Sequence, residues 1–498
     1  MVEVDKTPSF LFSTRFVVTV MAFFGYCLQY MLKINMGIAI VCMVNNTALR
    51  EASVSDNHSK IVVNTSVLDS KCKISSSHSS GLNGNFVWDK SIQGFILASY
   101  FYGYIITQIP GGWLSTKYGG KNVLGLSMLI ASIFTIVTPF TARWGYIPLS
   151  VCRFIIGLAH GAFWPAQSSI FVFWAPIKER TIILGTSTSG AWIGNIIALP
   201  LGAYLCVSGF DGGWPSIFYI FGIVGCVWSI LFMFIISDTP ETNRFITESE
   251  KEYLINEAKK IGQAKNSKKI STPWKQIFLS KVCWATFIAH FCNNWGNYLY
   301  LTQLPSFMKD VLKFDIKSNG LMSAIPYVAC ALFTAVLGIV SDRLMSKNII
   351  SRKKLRKLFN GIGLAVPAAA VICLSFVDCS LPYLGVACLT VGLAFNGFYW
   401  AAGPLVNIND IGGKFSGLIF GITNTFGTLP GIICPFIVGF ITKNRTQAEW
   451  QIVFIICACI YCVGALVYWI FCESEIQPWA VIKNDDDDDV NKKKENVF

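Results

Sequence analysis

Three side chains carry charge, or can, in stretches otherwise too apolar to hold it. Lys33 lies in Tyr30-Met-Leu-Lys33-Ile-Asn35-Met-Gly. Arg153 opens Arg153-Phe-Ile-Ile-Gly-Leu-Ala-His160-Gly-Ala-Phe-Trp-Pro165, and His160 follows seven residues on. On a helix that spacing is two turns, which puts Arg153 and His160 on one face about 10 Å apart along the axis. No Asp or Glu falls in either stretch. Ionised groups at bilayer depth are costly and mark function by default. Unbalanced positive charge there attracts anions and discriminates against cations. Arg can grip a carboxylate or phosphate through two parallel N–H bonds, Lys supplies a point charge, and His titrates near neutral pH. His290, in a later apolar run, is a second titratable candidate. Each has a structural alternative: Lys33 snorkelling to an interface, Arg153 a brace near its span's outer end, the histidines satisfied packing residues.

The elements that must hold these residues are membrane helices. The 498 residues are 53% hydrophobic and 14% charged, where a soluble chain carries about 25% charged. Apolar runs of this length read as bilayer spans, and backbone inside lipid must be helical. The expectation is an all-α membrane protein with twelve transmembrane helices at 16–42, 92–112, 122–141, 148–171, 181–207, 215–237, 282–305, 320–341, 358–377, 383–406, 416–441 and 451–472. The first run is too long for a signal-peptide core and lacks a cleavage site, so it is expected to remain as a span. With residues 1–15 in the cytosol, that side holds 27 of the 40 Lys and Arg and the outer loops hold 11. Arg343, Lys347, Arg352, Lys353, Lys354, Arg356 and Lys357 crowd one short connection. This is the positive-inside bias, so the formal charge of +12 is topological and implies no nucleic-acid partner.

The expected layout is a six-helix bundle at 16–237, a charged cytosolic loop at 238–281, a second bundle at 282–472, and a cytosolic tail at 473–498 containing Asp485–Asp489 and Lys492–Lys494. Both termini are then cytosolic, and the polar loop 43–91 is lumenal. Glycosylation sequons stand at Asn45, Asn57, Asn64 and Asn444, all on the predicted outer face, with Asn57 and Asn64 the best placed. Most of the 17 cysteines sit in apolar runs as small hydrophobes. Cys72 and Cys379 fall in outer loops and could be bridged. There is no Walker motif, no H-E-x-x-H and no metal-spaced cluster, so neither an enzyme nor a metal or other cofactor is expected.

An internal repeat relates the halves. Gly112-Trp-Leu-Ser-Thr-Lys117-Tyr-Gly-Gly-Lys121 follows span two, and Gly338-Ile-Val-Ser-Asp342-Arg343-Leu-Met-Ser-Lys347 follows span eight. The pair resembles the signature loop of the major facilitator superfamily, in which Gly starts a tight turn and Asp and basic groups latch neighbouring helices. Thr116 stands where the first Asp is expected. The fold so implied is two pseudo-symmetric six-helix halves with a midplane site between them. Gly157/Gly161, Gly190/Gly194 and Gly427/Gly431 read as close helix contacts.

Longer stretches resemble the solute carrier 17 family, in its sialin and sodium-phosphate cotransporter branch. They are Gly94-Phe-Ile-Leu-Ala-Ser99-Tyr-Phe-Tyr-Gly103-Tyr-Ile-Ile-Thr-Gln108-Ile-Pro110, Phe173-Trp-Ala-Pro176-Ile-Lys-Glu179-Arg180, Ser237-Asp-Thr-Pro240, Trp284-Ala-Thr-Phe-Ile-Ala-His290, Asn319-Gly-Leu-Met-Ser323 and Gly421-Ile-Thr-Asn424. The resemblance implies a symporter that moves a small organic or inorganic anion, such as phosphate, sialic acid or an acidic organic anion, by alternating access. A co-transported proton or sodium ion is expected, and a potential-driven facilitator or anion channel is the alternative. It implies a monomer in the plasma membrane or a lysosomal or vesicular membrane. Spans one, four, seven and ten face the pathway in this fold, which nominates Tyr30, Trp164, Asn294, Asn297, Tyr298, Asn396, Tyr399 and Trp400 beside Lys33, Arg153 and His160. Three departures matter: Lys33 replaces the family's frequent Arg, His160 replaces a Glu linked with proton coupling, and Leu97 and Asn293 stand where glutamate carriers have His and Arg.

Overall fold

The computed structural model describes residues 8–45, 47–49, 84–176, 179–265 and 273–480. In chain order its helices are α1 (Thr14–Met43), α2 (Lys90–Tyr118), α3 (Gly120–Trp144), α4 (Tyr146–Gly161), α5 (Phe163–Trp174), α6 (Arg180–Ser208) and α7 (Trp214–Ile235). A peripheral helix α8 (Glu248–Lys265) and a short α9 (Trp274–Leu279) lead to α10 (Lys281–Asp310), α11 (Ile316–Ser346), α12 (Arg352–Ser375), α13 (Pro382–Ala402), α14 (Pro404–Gly412), α15 (Ser416–Ile441) and α16 (Gln447–Phe471). Taken as continuous spans, α4–α5 and α13–α14 each bend once. The breaks fall just before Pro165 and Pro404, whose missing N–H removes a helical hydrogen bond.

Among the described residues, ten spans are long and apolar enough to cross a bilayer. The two remaining long helices are α2 and α10, diluted by Gln93, Ser99 and Gln108 and by His290, Asn293, Asn294 and Thr302, all buried. Lipid would not accept such residues facing outward, so their polar faces turn inward, and these two helices are where the site and its closure are found.

Each half packs as its own bundle, and the main contacts between the halves pair α1 with α10, α2 with α15, and α6 with α11. The α2–α15 seam shows how they meet. A methyl on Gly94 would lie 2.4 Å from the Pro435 carbonyl oxygen, and one on Gly439 would lie 2.5 Å from that of Lys90. Further along, Gln108 donates to Thr428 at 2.8 Å and accepts from Asn424 at 2.9 Å. Beyond that, Gly417 and Gly421 face open space. The α6–α11 seam runs the same way, tight at Gly320 against Leu199 and open at Gly185 and Gly338. The halves therefore touch at the end bearing Met43, Lys90 and Asp310 and part toward the end bearing Thr14 and Phe471.

Ion pairs follow the same division. At the closed end Lys90 Nζ meets Asp310 Oδ2 at 2.5 Å, both nearly buried, and Lys309 Nζ donates to the Val41 carbonyl at 2.6 Å. Both bonds cross between halves. At the open end Arg15 binds Glu179 at 2.6 Å and Glu250 at 3.0 Å, while Arg356 binds Asp410 at 2.9 Å. Those stay within one half or tie α8 to it.

Several expectations are corrected. Gly112 does not start a turn: α2 continues to Tyr118, and the chain reverses at Gly119, whose φ of 87° suits glycine. The latch there is Asp238, not a residue of the signature stretch. Its carboxylate accepts from the Lys121 backbone N–H at 2.7 Å and caps the start of α3. Lys117 lies over the rings of Trp113 and Tyr118. In the second copy, Asp342 and Arg343 lie inside α11, both exposed; Asp342 makes no side-chain bond among the described residues, and the latching carboxylate is Asp410. Cys42 and Cys206, read as small hydrophobes, form a disulfide joining α1 and α6 at the closed end. Cys379 is disulfide-bonded, while Cys72, Asn57 and Asn64 lie outside the described residues. The Asn444 side-chain amide is engaged by Glu449 at 2.7 Å, and the Asn45 side-chain oxygen accepts from the Ala48 N–H at 3.0 Å.

Candidate functional site

Two close helix approaches assemble the charged cluster. A methyl on Gly157 would lie 1.9 Å from the Tyr100 carbonyl oxygen, and one on Gly103 would lie 2.1 Å from that of Phe154. Only residues without a side chain let α2 and α4 come this near. The contact sets Arg153 and His160 against Tyr100. A second approach, Gly190 and Gly194 of α6 against the α1 backbone, fixes the face of α1 that Lys33 presents. Gly431 sits against the Phe101 ring, and Gly427 against His290 and Asn294. All three glycine pairs thus mark helix contacts.

Lys33 is enclosed by five aromatic rings. Its Nζ lies 5.2 Å from the ring centre of Tyr30, 5.9 Å from Tyr100, 5.3 Å from Phe101, 5.2 Å from Tyr104 and 4.9 Å from Tyr298. The first four belong to one half and Tyr298 to the other, so the cage closes across the seam. Its residue is 8% exposed, and no carboxylate among the described residues pairs with it. Ring faces attract a cation but cannot neutralise it. Among the described residues no acceptor takes its N–H donors, which are left for a ligand.

Arg153 is employed differently. Its Nη1 donates to Asn35 Oδ1 at 3.1 Å and to the Leu32 carbonyl at 3.4 Å, and its Nη2 donates to the Lys33 carbonyl at 3.1 Å. The guanidinium also stacks on Tyr100 at 5.2 Å, and Nε has no partner. Helical carbonyls have a second lone pair, so they accept these bonds without breaking α1. The fork therefore braces the backbone that carries Lys33. His160 completes the cluster. It is fully buried, shares a 3.0 Å hydrogen bond between Nδ1 and Tyr100 Oη, and leaves Nε2 unpartnered. Tyr100 links all three groups.

The other nominated residues divide. Tyr30 and Tyr298 join the Lys33 cage, and Trp164 packs on Tyr26 at 4.6 Å on the same half. Asn396 donates to Asn293 Oδ1 at 2.6 Å and accepts from Trp400 Nε1 at 2.8 Å, forming a separate network that ties α10 to α13. Trp400 reaches across to Trp192 at 6.1 Å. Asn294 donates to the Gly427 carbonyl at 2.8 Å, and Asn297 bonds back to the Asn293 carbonyl at 3.2 Å. His290 Nδ1 pairs with Thr423 Oγ1 at 3.2 Å inside the second half. Tyr399 is fully buried against Gly363 of α12 and is not brought to the cluster. A small apolar crevice around Leu299, Tyr300, Leu389 and Trp450 shares no residue with it.

Sequence reasoning missed Tyr100, Phe101 and Tyr104. Their signal was available in Tyr100 and Tyr104, one turn apart and flanking Gly103 on a helix too polar to be plain core.

Known proteins agree with this architecture. The family model for the Major Facilitator Superfamily matches residues 22–435. Sialin of Ovis aries is 38% identical over 470 residues, covering 94% of this chain and 91% of that protein. A putative inorganic phosphate cotransporter of Drosophila melanogaster is 38% identical over 491 residues, covering 98% and 89%. The crystal structure of a D-xylose-proton symporter superposes with a TM-score of 0.65 at 14% identity, covering 93% of this chain and 99% of that one, which speaks to the fold alone. The chain is therefore a membrane transporter, not an enzyme, and belongs to the major facilitator superfamily in its solute carrier 17 family.

Proposed function

We propose that the chain is a secondary active symporter of small anions, organic or inorganic, of the size of phosphate, sialic acid or an acidic amino acid. The observation that carries this reading is Lys33: a basic side chain at span depth, caged by rings from both halves, with no carboxylate beside it among the described residues. An anion entering the cage gains the Coulomb attraction that no protein group has used. The names of the sialin and phosphate-cotransporter relatives support the same class.

Lys33 is the anchor in this reading, with Tyr30, Tyr100, Tyr104 and Tyr298 giving the anion hydroxyl donors and walls. Arg153 positions α1. Trp164, Asn294, Asn297, Asn396 and Trp400 shape the approach from the open end. His160 is the coupling candidate, because an anion at the cationic cluster offsets the charge that opposes protonation of His160, and a proton there strengthens the attraction for the anion. His290, in the opposite half, is the alternative coupling site, and a sodium ion the alternative coupled ion. Alternating access follows from the geometry: the halves rock about the Lys33 cage, exchanging the Lys90–Asp310 closure for one at the other end.

The Lys and Arg asymmetry supports a cytosolic open end. The Cys42–Cys206 bridge at the closed end fits an oxidising lumen or exterior. A monomer in the plasma membrane or a lysosomal or vesicular membrane fits these features. The test is uptake of labelled phosphate, sialic acid and glutamate into proteoliposomes under separate proton, sodium and voltage gradients. A symporter saturates, exchanges in counterflow and concentrates at least one anion under an ion gradient. Flux that neither saturates nor exchanges would refute it.

A further inference from the structure

The turn between α11 and α12 holds more positive charge than the described structure balances. Residues 342–357 contain seven Lys and Arg against one carboxylate, Asp342. Asp410 takes Arg356 at 2.9 Å and Arg352 at 3.7 Å, and Glu473 takes Lys353 at 2.5 Å. Arg343, Lys347, Lys354 and Lys357 have no acidic partner among the described residues, and all but the half-buried Lys357 are exposed.

The chain leaving α16 runs directly past this turn. Glu473, two residues beyond the helix, is already paired to Lys353. Further on, the Gln477 N–H donates to the Ile411 carbonyl at 3.0 Å, and Ala480 packs beside Gly413. Ile411 adjoins Asp410, the acceptor for Arg352 and Arg356. The described chain thus reaches Ala480 within a few residues of the basic cluster. Five residues later comes Asp485–Asp489, the longest single-sign run in the sequence. These five lie outside the described residues; a chain spans at most about 3.4 Å per residue, so five to nine residues beyond Ala480 can cover up to roughly 17–31 Å. That reach covers the turn.

We infer that Asp485–Asp489 docks on the α11–α12 turn against Arg343, Lys347, Lys354 and Lys357, strapping the tail to the second half of the transporter. Charge complementarity and the path of the chain single out this occupant. Its competitor is an anionic lipid headgroup, since the exposed Ile349 and Leu358 flank the turn with apolar surface.

Carbodiimide, which joins carboxylates to amines in contact, tests this on the full chain in phosphatidylcholine nanodiscs, with peptide mass spectrometry as readout. The Lys353–Glu473 link serves as the internal control. Links from Asp485–Asp489 to Lys347, Lys354 or Lys357 are expected. They should fall at least about tenfold relative to the control in 0.5 M salt, where charges are screened over a few ångströms. They should vanish when all five Asp are changed to Asn. Control links without tail links would overturn the inference, as would equal linking of the tail to Lys117 and Lys121 in the other half. Adding phosphatidylserine should leave the tail links in place. Their loss would assign the turn to lipid and overturn the strap.

Discussion

Replacing Arg153 by Lys separates an anion anchor from a brace. An anchor acting as a point charge survives the change, since lysine keeps the charge at the same helix position. A brace does not. The guanidinium spans two directions at once, reaching Asn35 Oδ1 and the Lys33 carbonyl, each at 3.1 Å, with Leu32 as a longer third contact. A single ammonium on a flexible stem cannot reproduce that fork. Hydrogen bonds from charged groups contribute about 1.5–3 kcal/mol each, so losing two costs α1 roughly 3 kcal/mol of its ordering around Lys33. At about 1.4 kcal/mol per factor of ten, that is a fall on the order of 100-fold in uptake efficiency. The assay is the initial rate of labelled-anion uptake in proteoliposomes, normalised to reconstituted protein. Arg153→Lys and Arg153→Ala should both fall by about that factor. Uptake by Arg153→Lys within threefold of native, with Arg153→Ala inactive, would refute the brace and restore Arg153 as an anchor.

Other outcomes follow from the same contacts. Gly157→Val forces a side chain into the Tyr100 carbonyl and should destabilise by about 1–3 kcal/mol, read as a lowered melting temperature of purified protein; an unchanged melting point would show that α2 and α4 part freely. Asp310→Asn breaks a nearly buried inter-half pair, a loss of about 3–5 kcal/mol from this closed end alone. Hydrogen exchange in peptides around 90–97 and 305–310 should then rise, and no change would mean the pair does not hold the closure. His160→Gln should abolish anion uptake driven by a proton gradient while leaving counterflow exchange of the anion, and proton-driven uptake equal to native would remove His160 from coupling.

The charged cluster was legible because charge in an apolar run has few innocent explanations. Lys33, Arg153 and His160 stand out by type alone, and the seven-residue spacing of the last two survives in α4. What Arg153 does with its fork was not legible, because its partners are backbone carbonyls of another helix, which no residue type announces. Aromatic residues fail for the opposite reason. Tyr100, Phe101 and Tyr104 look like ordinary lipid-facing or core residues until Gly103 and Gly157 are seen to draw α4 against them. The extent of α2 was misread at Gly112, since glycine is tolerated inside tightly packed membrane helices and breaks them only where φ must be positive, as at Gly119. Cys42 and Cys206 lie 164 residues apart in apolar runs, and only the packing of α1 on α6 brings them together. Tyr399 was nominated because span ten faces the pathway in this fold, yet its backbone and Cβ pack on Gly363 and the side chain is fully buried.

Saturable binding of a labelled anion to purified Lys33→Gln, beside Lys33→Arg and native protein, tests the central claim most directly. An ammonium kept ready for a solute, unneutralised by the protein, is a burden on the fold, so Lys33→Gln should melt no lower than native and yet bind no anion, while Lys33→Arg retains binding. If Lys33→Gln bound the anion with native affinity, the caged lysine would not be the anchor.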